Sequence, residues 1–279
     1  MQLIAELTRQ MNRRVFLMHF SNALGCDFAV VWVRSSIIGR VHDTVRTVSN
    51  SIDVFWLVLD EPEGTVRELF DVLSVEEQRK VSLLHDPLKR SRSIVRLARR
   101  RRLLAQFLQV DSRDLNVLTA SNGKPFVNTS SGESVEFSSS HSNHLGVVAI
   151  SIGQPLGIDV ESLSDLPDST DFTSSITHGS EFNEIRELPL LSQSRALLRI
   201  WTQKEAYLKA TGEGLRVSLQ DFAVPIDSEP IGQTFDPLSS GKWWYFFGLE
   251  CPQPEFDAAL VVAAKGPDKP APNLTLHYL

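Results

Sequence analysis

The strongest constraint in this chain is one helical stretch, from about residue 194 to 210, that closes on Gly212. It is rich in helix formers, and a glycine just past the last periodic residue is a common helix stop. Within it Trp201, Glu205 and Lys209 recur every fourth residue and so share one face. Residues 201–215 read WTQKEAYLKATGEGL, which sets an indole, a Lys-Glu pair, a second lysine and two glycines at fixed offsets. A merely solvated helix surface has no need of that pattern.

Upstream, residues 157–161 read GIDVE. In a strand, alternate side chains share a face, so Asp159 and Glu161 point the same way while Val160 faces the core. Two carboxylates from a strand and Glu205 from a helix suit Mg²⁺, which prefers oxygen ligands and fills its remaining positions with water and substrate phosphate oxygens. Lys209, one turn beyond Glu205, adds positive charge for the same phosphates. Taken singly, each motif is weak: an acidic pair ending a strand is often just solvated, and KEAYLK passes for a charged helix face.

The rest of the chain reads as two similar-sized halves in an α+β layout. Val54–Leu59 (VFWLVL) is an apolar run of strand length ended by an Asp-Glu-Pro-Glu-Gly turn. The spacing then predicts a long helix over about 88–108, with Ile94, Leu97, Ala98, Leu104, Ala105 and Leu108 on its apolar stripe. Arg101 falls inside that stripe, where it either snorkels or pairs with a buried carboxylate. Residues 119–136 read as turn and loop. The runs at 145–152 and 157–161, joined by Gln-Pro-Leu-Gly, read as a hairpin, and 162–180 as a surface loop. Residues 243–249 and 257–264 read as strands.

Residues 1–50 lack clean periodicity and read as an N-terminal extension, with disorder one reading, ahead of halves at 51–153 and 154–279. Arg9, Arg13 and Arg14 before the apolar stretch 15–33 faintly resemble an export leader, but His19, Asn22 and Asp27 interrupt the run and Leu24 is large for a lipobox.

Composition narrows the function classes. With 42% hydrophobic and 22% charged residues the chain is globular, and a net charge of −6 argues against bulk nucleic-acid binding. The RRRR run at 99–102 does not change this, because four successive helical residues point around most of the circumference. Cys26 and Cys251 are far apart and form no CxxC, which excludes a disulfide framework and suits a reducing cytoplasm. His141 and His144 have no third ligand nearby for zinc.

GIDVE followed by WTQKEAYLKATGEGL resembles the signature of the 4′-phosphopantetheinyl transferase family, G-[IV]-D-[IV]-E and then W-[ST]-x-K-E-[AS]-x-x-K-x-x-G-x-G-L. The likeness extends to Gly123-Lys124-Pro125, to FSSSHS at 137–142 and to the arginine-bearing helix, covering roughly residues 52–265. Ser138 and Ser139 depart from the family's Asn and aliphatic residue, whereas Ser140 and His141 are kept. Length and two halves resemble the larger class that activates surfactin-type synthetases.

The resemblance implies a pseudo-dimeric α+β fold with the active site between its halves, and an enzyme moving 4′-phosphopantetheine from coenzyme A to a serine of an apo acyl or peptidyl carrier. It implies Mg²⁺ held by Asp159, Glu161 and Glu205, although in some members the second acidic position is not a direct ligand. Lys209 would contact the phosphates, and Glu205 would help deprotonate the carrier serine, directly or through water. Lys80, with Arg79 as the alternative in its segment, and Arg92 match positions that place cations near the 3′-phosphate, which His141 would face. Gly123, Lys124 and Ser140 fall in segments matching contacts to adenosine. One polypeptide would build the whole site, so a cytoplasmic monomer without nucleic-acid or membrane partners is expected. The competing readings are a metal-dependent phosphodiesterase or nuclease and an inactive relative that binds coenzyme A or a carrier.

Overall fold

The near-continuous apolar runs have a simple origin: each principal strand is covered on both faces. A computed structural model describes residues 15–21, 27–34, 50–127, 135–167, 170–226, 233–266 and 269–279. The strands are β1 (Val15–Ser21), β2 (Asp27–Arg34), β3 (Ser51–Val58), β4 (Val117–Thr119), β5 (Pro125–Val127), β6 (Val135–Ser142), β7 (Leu145–Ile152), β8 (Leu156–Ser162), β9 (Gln233–Phe235), β10 (Trp244–Leu249), β11 (Phe256–Ala263) and β12 (Asn273–Tyr278). The helices are α1 (Glu63–Phe70), α2 (Val75–Ser82), α3 (Pro87–Leu108), α4 (Thr170–Ile176), α5 (Gly179–Glu187) and α6 (Leu190–Thr211).

Two sheets carry the fold, ordered β1-β2-β12-β3-β7-β6 and β8-β11-β10-β9. They face each other through one core: Ile52, Val54 and Trp56 of β3 meet Ile158 and Val160 of β8 and Tyr245 and Phe247 of β10. The alternate residues of these strands and of β11 point outward under a long helix. Phe55 and Leu57 pack with Ile94, Val95 and Ala98 of α3, and Phe246 and Val261 pack with Ala206 and Tyr207 of α6. The result is an α+β sandwich layered helix, sheet, sheet, helix.

The long helices begin and end by local chemistry. Asp86 caps α3 by accepting from the Leu88 and Lys89 amides at 2.8 and 3.0 Å, with Pro87 at the first helical position. Gly212 ends α6 with φ near 73°. Arg101 is 1% exposed and donates to the carbonyls of Val72, Ser112 and Leu115 and to Glu77. It is thus the paired buried arginine rather than the snorkelling one.

Several expectations are corrected. Residues 145–152 and 157–161 do not form a hairpin. β7 pairs with β6 and β3, whereas β8 pairs with β11, so the Gly153–Pro155 link carries the chain from one sheet to the other. The true hairpin is β6–β7, turning at Asn143 with φ near 50°. Residues 162–180 are not wholly loop, since they include α4. The loop reading of 119–136 is interrupted by the short β4–β5 ribbon and the start of β6. The last strand, β12, lies parallel between β2 and β3, so the C-terminus crosses the boundary expected near residue 153. Within the N-terminal extension, Val15–Ser21 and Asp27–Arg34 fold as the antiparallel pair β1–β2 at the far edge of the first sheet. Cys26 lies outside the described residues. No helix among the described residues is long and apolar enough to cross a membrane.

Candidate active site

The FSSSHS segment supplies one wall of the site by strand alternation. Ser138, Ser140 and Ser142 fall on one face of β6 and meet the edge of β8. Ser138 Oγ accepts from the Ile158 amide and Ser142 Oγ from the Ser162 amide, both at 3.1 Å. Hydroxyls, instead of a backbone ladder, therefore satisfy that edge and stitch the two sheets together. Ser138, which departs from the family pattern, is one of the stitches.

Between them Ser140 Oγ donates to Asp159 Oδ1 at 2.7 Å. Lys209 Nζ, reaching down from α6, donates to the same oxygen at 2.6 Å and to Ser140 Oγ at 3.0 Å. Asp159 is 2% exposed, and its Oδ2 is buried with no hydrogen-bond partner. Close approach of α6 to β8 makes this possible. A Cβ on Gly157 would sit 2.1 Å from the Ala206 carbonyl oxygen and 2.4 Å from the Ala210 nitrogen, so only glycine lets helix and strand touch.

Two more carboxylates share the α6-facing side. Burial first, and then the Asp159 charge, raise the Glu161 carboxyl to about 8, against smaller pulls from Lys209 and a Ser142 hydrogen bond. The same two causes raise Glu205, with Lys209 again opposing. No group of three or more His, Cys, Asp or Glu among the described residues is gathered into a ready metal cage. The donor set nevertheless fits a hard divalent cation: one buried oxygen is unpaired, and two neighbouring carboxylates are held towards their neutral forms by burial and the Asp159 charge.

The expected coenzyme A residues divide. A cavity of about 690 Å³ is lined by Lys80, Arg96, Arg100, Thr119, Gly123 and Pro125, among others. Lys80 lines it but also pairs with Glu76 at 2.6 Å. Gly123 takes φ near 86°, forming the turn between β4 and β5. Lys124 is anchored elsewhere: its ammonium donates to the Ala210 carbonyl at 3.2 Å and lies 3.7 Å from Glu136. Arg92 is outside the cavity wall and forms a bidentate pair with Asp60 at 2.6 and 2.9 Å. His141, on the exposed face of β6, is lowered to about 4 by burial of its surroundings and by the Arg96 and Lys209 charges.

Sequence reasoning missed Arg96 and Arg100, although Arg96 lies one helical turn beyond Arg92 on α3. It also missed Lys204. That lysine is fully buried, donating to Glu181 at 2.6 Å and to the Ile176 and Leu219 carbonyls, and so ties α4 and α5 to α6. Its neighbour Glu205 faces the site instead. Within the KE pair one member is structural and the other belongs to the acidic cluster.

These features define a class: an α+β protein that sets three carboxylates and a lysine on a seam between sheets, beside an arginine-walled cavity. The model of the 4′-phosphopantetheinyl transferase superfamily matches residues 155–257. The 4′-phosphopantetheinyl transferase HetI of Nostoc sp. is 28% identical over 221 residues, covering 78% of this chain and 90% of that protein. The 4′-phosphopantetheinyl transferase gsp of Aneurinibacillus migulanus is 30% identical over 122 residues, 44% of this chain and 48% of its own. The 4′-phosphopantetheinyl transferase Sfp of Bacillus subtilis is 22% identical over 178 residues, with shares of 63% and 77%. Among solved structures, a holo-(acyl-carrier-protein) synthase from Bacillus anthracis in complex with CoA aligns at 25% identity and TM-score 0.32, covering 39% of this chain and 94% of that one. The chain is thus similar to the 4′-phosphopantetheinyl transferase superfamily and, over most of its length, to the larger, Sfp-like type.

Proposed function

We propose that the protein transfers the 4′-phosphopantetheine group of coenzyme A to a serine hydroxyl of an apo acyl or peptidyl carrier, releasing adenosine 3′,5′-bisphosphate. The observation that carries the site assignment is the buried Asp159, with one oxygen held by Ser140 and Lys209 and the other unpaired. Asp159, Glu161 and Glu205 would hold the metal, proposed to be Mg²⁺. When bound, the metal supplies positive charge to the coenzyme A pyrophosphate.

The chain's own residues do the rest. Glu205, whose burial raises its affinity for a proton, takes the proton from the carrier serine as its oxygen attacks the pantetheine-bearing phosphorus. Lys209, free to move from Asp159 because it is one-third exposed, neutralises charge growing on the leaving bisphosphate. Ser140 orients Asp159. Thr119, Gly123 and Pro125 line the cavity where the nucleotide is placed in this reading. The attacking hydroxyl belongs to the carrier, so no enzyme nucleophile is required.

The organisation belongs to the same proposal. Residues 51–153, joined by the returning strand β12, form the coenzyme A half and the rest of residues 154–279 the catalytic half, related as a pseudo-dimer with the site at their seam. The β6–β8 serine stitches and the Asp159–Ser140 bond support that reading, since each joins one half to the other. A cytoplasmic monomer without nucleic-acid partners completes it.

Incubation with Mg²⁺, coenzyme A and an apo carrier, followed by intact-mass analysis of the carrier, tests the function. Gain of one phosphopantetheine is expected. An unmodified carrier with hydrolysed coenzyme A would replace the reading by a phosphodiesterase, and binding without any turnover by an inactive relative.

A further inference from the structure

The wall of the 690 Å³ cavity carries Lys80, Arg96, Arg100 and Arg101 against two carboxylates, Glu76 and Glu77, an excess of two positive charges. Three of those cations already have partners. Arg101 is held by carbonyls and Glu77. Arg100 donates to Glu77 at 3.2 Å and lies 5.9 Å above the Phe137 ring centre. Lys80 pairs with Glu76 at 2.6 Å.

Arg96 differs from all three in having no ion pair among the described residues, and its Nε, like that of Arg100, is buried without a hydrogen-bond partner. Burial and the neighbouring Arg100 bring its guanidinium down to about 10, with only Glu77 opposing, so it stays charged at neutral pH but under-neutralised. It also lies close enough to His141 for its charge to depress that imidazole. A half-buried guanidinium without a paired carboxylate is unfavourable by itself, and a planar donor fork matches a phosphate well. A phosphomonoester carries close to two negative charges at neutral pH, which equals the excess on the wall.

Sequence resemblance places Arg92 at the 3′-phosphate, yet both of its donor positions used here face Asp60, outside the cavity. We propose that Arg96, one turn further along α3, is the specificity-determining residue that binds the 3′-phosphate of coenzyme A. The inference rests on the transferase reading of the site. Arg92, by contrast, ties α3 to the segment after β3.

The test is a cycle of two ligands and three proteins. Wild type, Arg96→Gln and Arg92→Gln are assayed for kcat/KM with coenzyme A and with 3′-dephospho-coenzyme A. Wild type should favour coenzyme A by about ten- to a hundredfold, the size of one charge-assisted contact. Arg96→Gln should lose a similar factor with coenzyme A and less than about threefold with the dephospho analogue, because that ligand has already lost the partner. Arg92→Gln should affect both ligands alike. Arg96→Gln should melt no lower than wild type without ligand, since it removes a half-buried charge that has no ion pair among the described residues, and Arg96→Lys should recover part of the discrimination. Equal losses on both ligands for Arg96→Gln, in a wild type that is active, would overturn the assignment and leave the transferase reading standing. A wild type that adds no mass to any apo carrier would remove the transferase reading and this assignment with it.

Discussion

Burying a carboxylate with one oxygen unpaired is unfavourable unless something else joins it, and Asp159 is in that position. Asp159→Ala and Glu205→Ala should each reduce carrier modification by about a thousandfold or more, the scale seen when charge stabilisation at a reacting centre is removed. Both variants should keep the wild-type circular dichroism. Near-wild-type turnover in either folded variant would remove the residue from the site. Glu161 gives a second, pH-dependent expectation. Its carboxyl is near 8 when folded against an ordinary 4.5, so between those values the native state binds more protons than the unfolded chain. Metal-free stability attributable to this residue is therefore complete below about 4.5 and falls as pH rises towards 8. On the proposed assignment of Glu161 as a Mg²⁺ ligand, the metal displaces that proton, so its affinity should tighten by up to about tenfold per pH unit between pH 6 and 8 and then level off. Calorimetric titrations across that range check this, and a flat affinity would show that Glu161 is not coupled to the metal.

At the scale of elements, the contact between α6 and β8 decides whether the carboxylates meet. Gly157 is the point where helix backbone touches strand backbone. Gly157→Ala forces backbone, not a flexible side chain, to move, and should destabilise by about 3 kcal/mol or more, beyond usual core overpacking. Urea melts would show the loss, and an unchanged midpoint would mean the helix can shift without penalty. The two long helices were legible from residues alone, because Ile94, Ala98 and Leu104 on one, and Gly212 closing the other, are local signals. The pairing of β8 was not. A short Pro/Gly link between two apolar runs fits a hairpin and a sheet-to-sheet crossing equally well, and only the distant partner β11 distinguishes them.

For the whole molecule, the order of the first sheet sets the N-terminal hairpin and the site far apart: β1 is one edge and β6, carrying Ser140 and His141, the other. A chain starting at Ser51 should therefore keep kcat/KM within about twofold, as remote changes without shared partners usually do. It should, however, be less soluble, because removing β2 leaves the edge of β12 unpaired. Size-exclusion profiles and carrier assays test both halves of this expectation. A soluble but inactive truncation would show that the hairpin reaches the site.

The sequence alone determined the chemistry and the local geometry. GIDVE and WTQKEAYLKATGEGL named the carboxylates, the lysine and their faces, because strand and helix periodicity act over a few residues. Tertiary structure decided the pairings that need residues far apart in the chain. It turned Arg92 towards Asp60 and left Arg96 in the cavity. It buried Lys204 on Glu181 while its neighbour Glu205 faced Asp159. It also placed β12 beside β3, across more than two hundred residues, on the order of the chain's own length. Charge and hydrogen-bond partners are chosen by what packing brings within about 3 Å, and no local pattern carries that information.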